Sequence, residues 1–236
     1  MQPKGLCKVS VCGYTLNNRP LFKYNYAFLP CYQGEFWCKL LLMDRKSIIA
    51  LPHVSLRTKS KKVTIISDEI KRLISDMKSA TLDWEDHRDH EVGVALAAVQ
   101  IDKHYRIVVI REDFDNKKNR NFAVFINPII AKYYGHIEED YEGCLSIKDI
   151  YGKVPRYTKV KVDAIDENGK AFRIKAEGFL ARVFQHEIDH TNGIVYVDHI
   201  QDNSEAFYKL NDDGKLEPLD YNSQIKDSKD LWSHEK

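Results

Sequence analysis

The stretch Gln185–His190 reads Gln-His-Glu-Ile-Asp-His and places two histidines four residues apart, with a glutamate directly after the first. Because an α-helix has 3.6 residues per turn, His186 and His190 would point to the same side of a helix and could bind one metal ion. Glu187 would then lie close enough to accept a proton from a water molecule at the metal. The stretch therefore predicts a helix and a metal-dependent hydrolytic site that needs a third protein ligand.

A helix over residues 178–192 is predicted around this stretch, because apolar residues recur at helical spacing before the two histidines. The residues spaced by four, three and four positions form one stripe, namely Phe179, Val183, His186 and His190. Histidines that extend an apolar stripe are expected to be buried, and burial of imidazoles without partners is unfavourable. The pattern therefore favours a bound metal over a chance occurrence of the motif. Gly193 stands where glycine commonly ends a helix.

The third ligand is not supplied by the positions that two groups of zinc peptidases use. One group places a histidine three residues after the glycine of an extended motif, and that position is Tyr196 here. Another group uses a glutamate further downstream, where the nearest acids, Asp212 and Asp213, lie in an apparent turn. The better candidate lies upstream in residues 142–146, which read Glu-Gly-Cys-Leu-Ser. The thiolate of Cys144 would be a strong ligand for zinc or ferrous iron.

Two further features accompany this candidate ligand. Gly143 permits close approach of the backbone beside Cys144. Residues 93–100 read Gly-Val-Ala-Leu-Ala-Ala-Val-Gln, and their small side chains permit close packing. The amide of Gln100 could donate a hydrogen bond to a developing oxyanion. On its own this segment is more typical of a tightly packed strand or helix start, so both interpretations stay open.

The composition of the chain restricts its class. Its length of 236 residues fits one domain with an extension or at most two small domains, and its 43% hydrophobic and 30% charged residues are ordinary for a globular protein. The formal net charge of +1 gives no sign of a nucleic-acid or anionic-membrane partner, and no apolar run is long enough for a transmembrane helix. The five cysteines form no C-x-x-C pair and no secretory signal is recognisable, so a reducing compartment is expected.

Residues 1–42 differ from the rest, since they hold four of the five cysteines, many aromatic residues and a single acidic residue, Glu35. Three interpretations stay open: a packed extension, an organelle-targeting leader, or sequence translated ahead of a start at Met43. The presence of only one arginine and one serine disfavours a leader. We expect a catalytic domain over residues 43–200 and a polar, peripheral appendage over residues 201–236.

The remaining pattern predicts an α+β domain. An amphipathic helix is expected over residues 67–77 with Ser67 as its cap, followed by a polar loop over residues 80–91. Strands are expected over residues 107–110, 122–126, 160–164 and 171–176. The second would end at Asn127-Pro128, and the last two would be joined by a turn at Asn168-Gly169. Without regular β-α-β alternation, these elements indicate antiparallel sheets packed around a central helix that carries the His-Glu-x-x-His motif.

Together, the three segments resemble the three motifs of the peptide deformylase family: G-x-G-x-A-A-x-Q, E-G-C-x-S and Q-H-E-x-D-H. The second and third motifs match at every fixed position, whereas the first departs once, with Ala95 where the family usually has its second glycine. Residues 51–57 and 154–156 extend the resemblance. It covers residues 46–200 and leaves out the two ends of the chain, and it implies the α+β fold of that family.

The resemblance implies a role for each motif residue. The metal ligands, for one ion per chain, would be Cys144, His186 and His190. Glu187 would be the general base and later the proton carrier. The side chain of Gln100 and the backbone N–H of Leu145 would stabilise the oxyanion. The residues expected to contact the substrate are Gly93, Val94, Ala95, Gly143 and Val183.

The resemblance also implies the reaction. The chain would be a metal-dependent hydrolase that removes the N-formyl group from the N-terminal methionine of new polypeptides and releases formate. The metal would be ferrous iron, which zinc, nickel or cobalt can replace. The partners would be N-formylmethionyl nascent peptides near the ribosome, with no nucleic-acid or membrane binding of its own. The compartment would be the cytoplasm, or an organelle if residues 1–42 are a leader.

Two other interpretations remain at this level. A metallopeptidase with an unusual ligand set would share the helix motif and would cleave unblocked peptides. A non-catalytic deformylase relative would keep its metal as a structural element, although intact Glu187, Gln100 and Cys144 disfavour it. Ala95 would either strain the backbone, if the position needs a positive φ, or narrow the entrance to the substrate groove.

Overall fold

The computed structural model describes residues 43–88, 91–211 and 213–232. The helices are α1 (Asp68–Glu85), α2 (Gly178–Thr191) and α3 (Lys229–Trp232). The strands are β1 (Ala95–Ala97), β2 (Ile107–Arg111), β3 (Phe122–Cys144), β4 (Ile147–Ile165), β5 (Ala171–Glu177), β6 (Phe207–Leu210) and β7 (Leu216–Pro218). The predictions for residues 1–42, including their cysteines and the leader interpretation, lie outside the described residues.

The strands of the described ranges form one seven-stranded antiparallel sheet. Its order is β1-β2-β3-β4-β6-β7, and β5 also pairs with β4. The long strands β3 and β4 form a hairpin in the middle of this order. An antiparallel sheet with few helices confirms the predicted α+β class. None of the helices in the described part of the chain is long and apolar enough to span a membrane.

Helix α1 begins where the sequence predicts it, because the Ser67 side chain accepts a hydrogen bond from the Ile70 N–H at 3.4 Å. The predicted end near residue 77 and the loop from residue 80 are wrong, since the helix continues to Glu85. Glu85 is buried there because Arg111 pairs with it, with Nη1 at 2.7 Å from Oε2. A polar helix end is therefore packed through an ion pair that the local sequence does not reveal.

Strand β3 passes through Asn127-Pro128, where the sequence predicts its end. The register with β4 shifts between Ile126 and Ile129, and Asn127 has a φ of 53°. Such a bulge accommodates a proline, which cannot donate to the strand ladder. The Asn127 side chain accepts from the Val63 N–H and donates to the Val63 carbonyl, at 2.8 Å and 2.8 Å. The strand therefore continues to Cys144 and carries the second motif to the site.

The hairpin of β4 and β5 confirms the predicted turn at Asn168-Gly169. The two strands pair from Lys159 opposite Glu177 to Ile165 opposite Ala171. Gly169 has a φ of 82°, which glycine adopts without steric strain.

Helix α2 covers Gly178–Thr191, close to its predicted range. It packs on the sheet, where the rings of Phe184 and Phe125 meet edge to face with centroids 4.8 Å apart. Gly193 follows the helix with a φ of 78°, as predicted for a glycine that ends a helix. Phe179 departs from the predicted buried stripe, because it is 40% exposed and its ring contacts Phe114.

The described part of the C-terminal segment is packed rather than peripheral. Strand β6 pairs with β4, and the side chains of Phe207, Ile225 and Leu231 are 1%, 1% and 3% exposed within one core cluster. The Trp232 Nε1–H donates to the Ile225 carbonyl at 2.6 Å. A few large apolar residues carry this packing, although the segment as a whole is polar.

Candidate metal centre

The turn between β3 and β4 presents Cys144. This residue ends β3 and pairs with Ile147, so Leu145 and Ser146 form the turn. The buried thiol accepts a hydrogen bond from the Ser146 N–H at 3.4 Å. A side chain at Gly143 would not fit, because an added Cβ would lie 2.6 Å from the ring of Tyr151. The predicted close approach at Gly143 therefore exists, and the approaching group is an aromatic ring.

Helix α2 brings two histidines to the same point. The rings of His186 and His190 have centroids 4.9 Å apart, and Nε2 of His190 lies 3.3 Å from Cys144 Sγ. The donor atoms of the three residues all lie within 4.8 Å of one another, and all three side chains are buried. Thiolate and imidazole donors at this separation fit a single zinc or ferrous ion, whose bonds to such ligands are about 2.0–2.3 Å long.

Glu142 orients the first histidine, a role that the sequence does not predict. Its Oε2 lies 2.9 Å from His186 Nδ1, so Nε2 remains for a metal, as is common for histidine ligands. Burial favours the neutral carboxyl, but the hydrogen bond from His186 and the charge of Arg156 outweigh it and hold the pKa of Glu142 well below its usual range. Burial likewise opposes protonation of His186, but hydrogen bonds with Cys144 and Glu142 outweigh it and raise that pKa.

Two buried polar atoms at the site have no hydrogen-bond partner within the described residues: Nδ1 of His190 and Oε2 of Glu187. Burial raises the pKa of Glu187 to about 7, with the charge of Glu142 adding to this and that of His186 opposing it. Burial and the charge of His186 lower the pKa of His190. A buried carboxylate oxygen without a protein partner fits a site that receives a divalent cation and a water molecule.

Gln100 is held with its amide nitrogen toward the cysteine. Its Oε1 accepts from the Ala97 N–H at 2.8 Å, which leaves Nε2 at 3.2 Å from Ser146 Oγ and 3.5 Å from Cys144 Sγ. The first motif thus forms both β1 and the short 3-10 helix Ala98–Ile101 that follows it. The packed-strand interpretation and the oxyanion interpretation are therefore compatible, because packing of the motif directs the amide.

A cleft of about 280 Å³ opens at this point. The predicted site residues that line it are Val94, Ala95, Gln100, Gly143, Cys144, Leu145, Val183, His186 and Glu187. His190 lies behind them and is fully buried. Gly93 does not line the cleft. Its N–H donates to Glu85 Oε2 at 3.0 Å, and an added Cβ would lie 2.8 Å from Thr81, so it supports the wall from behind.

Ala95, the departure in the first motif, lies in the extended strand β1 opposite Ile110. It is not among the residues with positive φ, so alanine imposes no left-handed strain here. Because Ala95 lines the cleft, its methyl group occupies space that a glycine would leave empty. Of the two sequence-based interpretations, the narrowed entrance is the one consistent with this geometry.

Two of the alternative third ligands, Tyr196 and Asp213, do not join the site. Tyr196 is buried, and its hydroxyl donates to the Ile150 carbonyl at 2.9 Å. Asp213 lies in a turn where its N–H donates to Asn211, and Asp212 lies outside the described residues. Within the described ranges, the group of side chains placed to hold a metal is therefore Cys144, His186 and His190.

The model of the polypeptide deformylase family matches residues 45–206, which is more than half of the chain. The chain belongs to the polypeptide deformylase family. Among curated relatives, it is 40% identical to the peptide deformylase of Psychrobacter arcticus over 155 residues, which is 65% of this chain and 78% of that one. It is 35% identical to the peptide deformylase of Chromohalobacter salexigens over 158 residues, 67% of this chain and 87% of that one.

Solved deformylase structures share the fold. A peptide deformylase from Synechococcus elongatus, in complex with actinonin, has a TM-score of 0.60 at 35% identity and covers 66% of this chain and 80% of its own. A peptide deformylase from Legionella pneumophila has a TM-score of 0.56 at 40% identity, with 64% and 83% covered. Deformylases are metal-dependent hydrolases that remove the N-formyl group from nascent peptides. The sequence-based prediction of family and reaction is therefore confirmed.

Proposed function

We propose that this deformylase holds one ferrous ion through Cys144, His186 and His190, and that α2 is the central helix around which the strands bring the other two motifs. The observation that carries the proposal is the group of three buried donors within 4.8 Å of one another. Zinc, nickel or cobalt would occupy the same donors, because thiolate and imidazole suit all of these ions.

The protein groups around the site divide the work of amide hydrolysis. When bound, the divalent ion supplies Lewis-acid activation of water and of the formyl oxygen. Glu187 accepts the proton of the water that adds to the formyl carbon, and its raised pKa of about 7 lets it hold that proton. Gln100 Nε2 and the Leu145 N–H donate to the oxygen on which negative charge develops. Glu187 then passes its proton to the leaving amine, and formate departs.

The cleft accounts for the choice of substrate. We propose that the methionine side chain lies against Val94, Ala95 and Val183, which are apolar and line the cleft beside Gly143. A formyl carbon bears hydrogen where an internal peptide carbonyl bears a carbon chain. A narrow site next to Cys144 would therefore admit a formyl group and exclude ordinary amides.

The catalytic domain would begin near Met43 and extend beyond residue 200, because Phe207, Ile225 and Leu231 belong to its core. The chain would act on nascent peptides near the ribosome, in the cytoplasm. Proteins that start at Met1 and at Met43 would then deformylate a free peptide at the same rate. A large difference between them would assign residues 1–42 a part in catalysis.

The test is formate release from a formyl-Met peptide by protein produced anaerobically with iron or nickel. Release of formate without cleavage of the unblocked peptide supports the proposal. Cleavage of the unblocked peptide without formate would favour a peptidase, and retained metal with neither activity would favour a structural metal site. The ligand set has its own test: Cys144→Ser should weaken metal binding, and unchanged metal content after dialysis would remove Cys144 from the set.

A further inference from the structure

Arg182 lies one turn before His186 on α2, and both side chains reach the same carboxylate. Nη1 of Arg182 donates to Glu142 Oε1 at 2.9 Å, while His186 Nδ1 lies 2.9 Å from Oε2. Residues four apart share one face of a helix, which explains why both reach Glu142. The two oxygens of this carboxylate are therefore each held by α2, and one of the contacts is made by a residue of the metal centre.

The same guanidinium is bonded to the hairpin that carries Glu142 and Cys144. Nη1 also donates to the carbonyls of Val154 at 2.6 Å and Asp140 at 3.2 Å, and Nη2 donates to the carbonyl of Glu138 at 2.8 Å. The side chains of Arg182 and Glu142 are 8% and 3% exposed. One buried side chain thus joins the helix that supplies two histidines to the hairpin that supplies the cysteine.

Arg156 holds the same carboxylate from another direction. Its Nε and Nη2 donate to Glu142 at 2.9 Å and 3.1 Å, and its Nη1 donates to Asp189 Oδ2 at 2.6 Å. Arg156 lies on β4 and contacts α2 at Asp189, which follows His186 in the helix. Arg182 is itself a residue of α2 and precedes His186. Without Arg182, Arg156 would still contact both oxygens of Glu142, but Oε1 would lose one of its two partners, and the carboxylate would be held less firmly toward His186.

We propose that Arg182 is a positioning residue of the metal centre, which acts through Glu142 to fix the direction of His186 and the distance between helix and hairpin. This inference rests on the proposed Cys-His-His metal site. Groups that orient a histidine ligand from behind commonly change metal affinity by about 10–100-fold.

The experiment measures zinc affinity of metal-free protein by competition with a coloured chelator, for wild type, Arg182→Leu, Glu142→Gln and the double variant. Arg182→Leu should bind zinc about 10–100-fold more weakly. Because the effect passes through Glu142, the double variant should bind no more weakly than Glu142→Gln alone. The cobalt-loaded Arg182→Leu protein should also show shifted absorption bands, since the geometry of the donors would change.

Two further variants separate positioning from general packing. Arg182→Lys keeps the charge, but one ammonium cannot reach Glu142 and the hairpin carbonyls together, so its zinc affinity should lie between those of wild type and Arg182→Leu. Arg111→Leu also removes a buried guanidinium, but one bonded to Glu85, and should leave zinc affinity unchanged.

The proposal is overturned if folded Arg182→Leu and Arg182→Lys bind zinc as wild type does, or if the losses of Arg182→Leu and Glu142→Gln add in the double variant. If wild-type protein binds no zinc, the metal site itself is wrong, and the role of Arg182 falls with it.

Discussion

Glu142 and Glu85 are both buried carboxylates held by arginine, yet they lie in regions with different tasks. Glu142 lies at the proposed metal centre, where it contacts Arg156, Arg182 and also His186 Nδ1. Glu85 is the last residue of α1, and its carboxylate accepts from Arg111 and from the backbone N–H of Gly93. The contact that each carboxylate makes besides its arginines sets its role. Glu142 orients the imidazole of a proposed metal ligand, whereas Glu85 fixes the backbone at Gly93.

The Glu85 pair nevertheless contributes to the cleft indirectly. By holding Gly93, it fixes the backbone just before β1, and the next two residues, Val94 and Ala95, line the cleft. Glu142 and its arginines set the orientation of the His186 imidazole. Glu85 and Arg111 set the position of the backbone that forms one wall of the cleft. Substitutions in both regions should lower stability, because each leaves a buried arginine without its carboxylate, but only those at Glu142 should also lower metal affinity.

The largest loss of stability is expected for Glu85→Ala. This substitution leaves the buried Arg111 guanidinium without its carboxylate, although the Asn119 and Lys117 carbonyls still accept from it. The loss of the charged partner should lower the free energy of unfolding by about 3–5 kcal/mol. Urea denaturation measures this loss, with Glu69→Ala on the exposed side of the same helix as the control. Zinc affinity of the folded protein should not change. A loss below about 1 kcal/mol would place the Glu85 pair among ordinary surface ion pairs.

Glu142→Gln should differ from Glu85→Ala in its effect on zinc affinity. The amide keeps the shape of the side chain but loses the charge that holds His186, so zinc affinity should fall about 10–100-fold, or about 1.4–2.7 kcal/mol. Titration of metal-free protein with zinc measures this effect. If Glu142→Gln binds zinc as tightly as Glu85→Ala does, the distinction between the two regions is lost.

A smaller loss of zinc affinity is expected for Asp189→Asn, because the Asp189 carboxylate is linked to Glu142 only through Arg156. Asp189 contacts Arg156 and His199 rather than a metal ligand, with Oδ2 at 2.6 Å and 2.7 Å from their nitrogens. An asparagine oxygen can still accept from Arg156, so zinc affinity should change less than about threefold. A loss as large as that of Glu142→Gln would mean that Arg156 depends on Asp189 for its position.

The smallest change is expected for Ala95→Gly on the cleft wall. Removal of the methyl group should widen the cleft and change KM for formyl-Met peptides by a few-fold, while kcat and metal content stay the same. Glycine in a strand should also lower the free energy of unfolding by about 0.5–1 kcal/mol. Steady-state kinetics measures the first effect, and an unchanged KM would show that this position does not set the width of the entrance.

The sequence predicts which side chains come together better than it predicts the fold around them. The metal motifs are local, because helical spacing relates His186 to His190 and the glycine beside Cys144 marks a close approach. The extent of β3 could not be predicted, since Asn127-Pro128 is typical of a strand end and only the bulge and the contact with Val63 carry the strand through.

Ion pairs between residues far apart in the sequence could not be predicted either, because they depend on how the folded elements pack. Glu142 lies two residues before Cys144 in the sequence, but its contacts come from Arg156, Arg182 and His186, which only the folded chain brings together. The burial of Phe207 and Leu231 was likewise not predicted, because their neighbours in the sequence are polar. Local patterns predict an element and its buried face, whereas ion pairs between distant elements depend on the register and packing of the whole sheet.

Glu187 supplies the most direct test of the proposed metal centre. Formate release should be measured for Glu187→Gln protein that carries one iron or nickel ion per chain, beside wild type with the same metal content. Loss of general-base catalysis predicts a fall in kcat of about 100-fold to 10,000-fold with metal binding retained. Turnover close to that of wild type in the metal-loaded variant would contradict the assignment of Glu187 as the base.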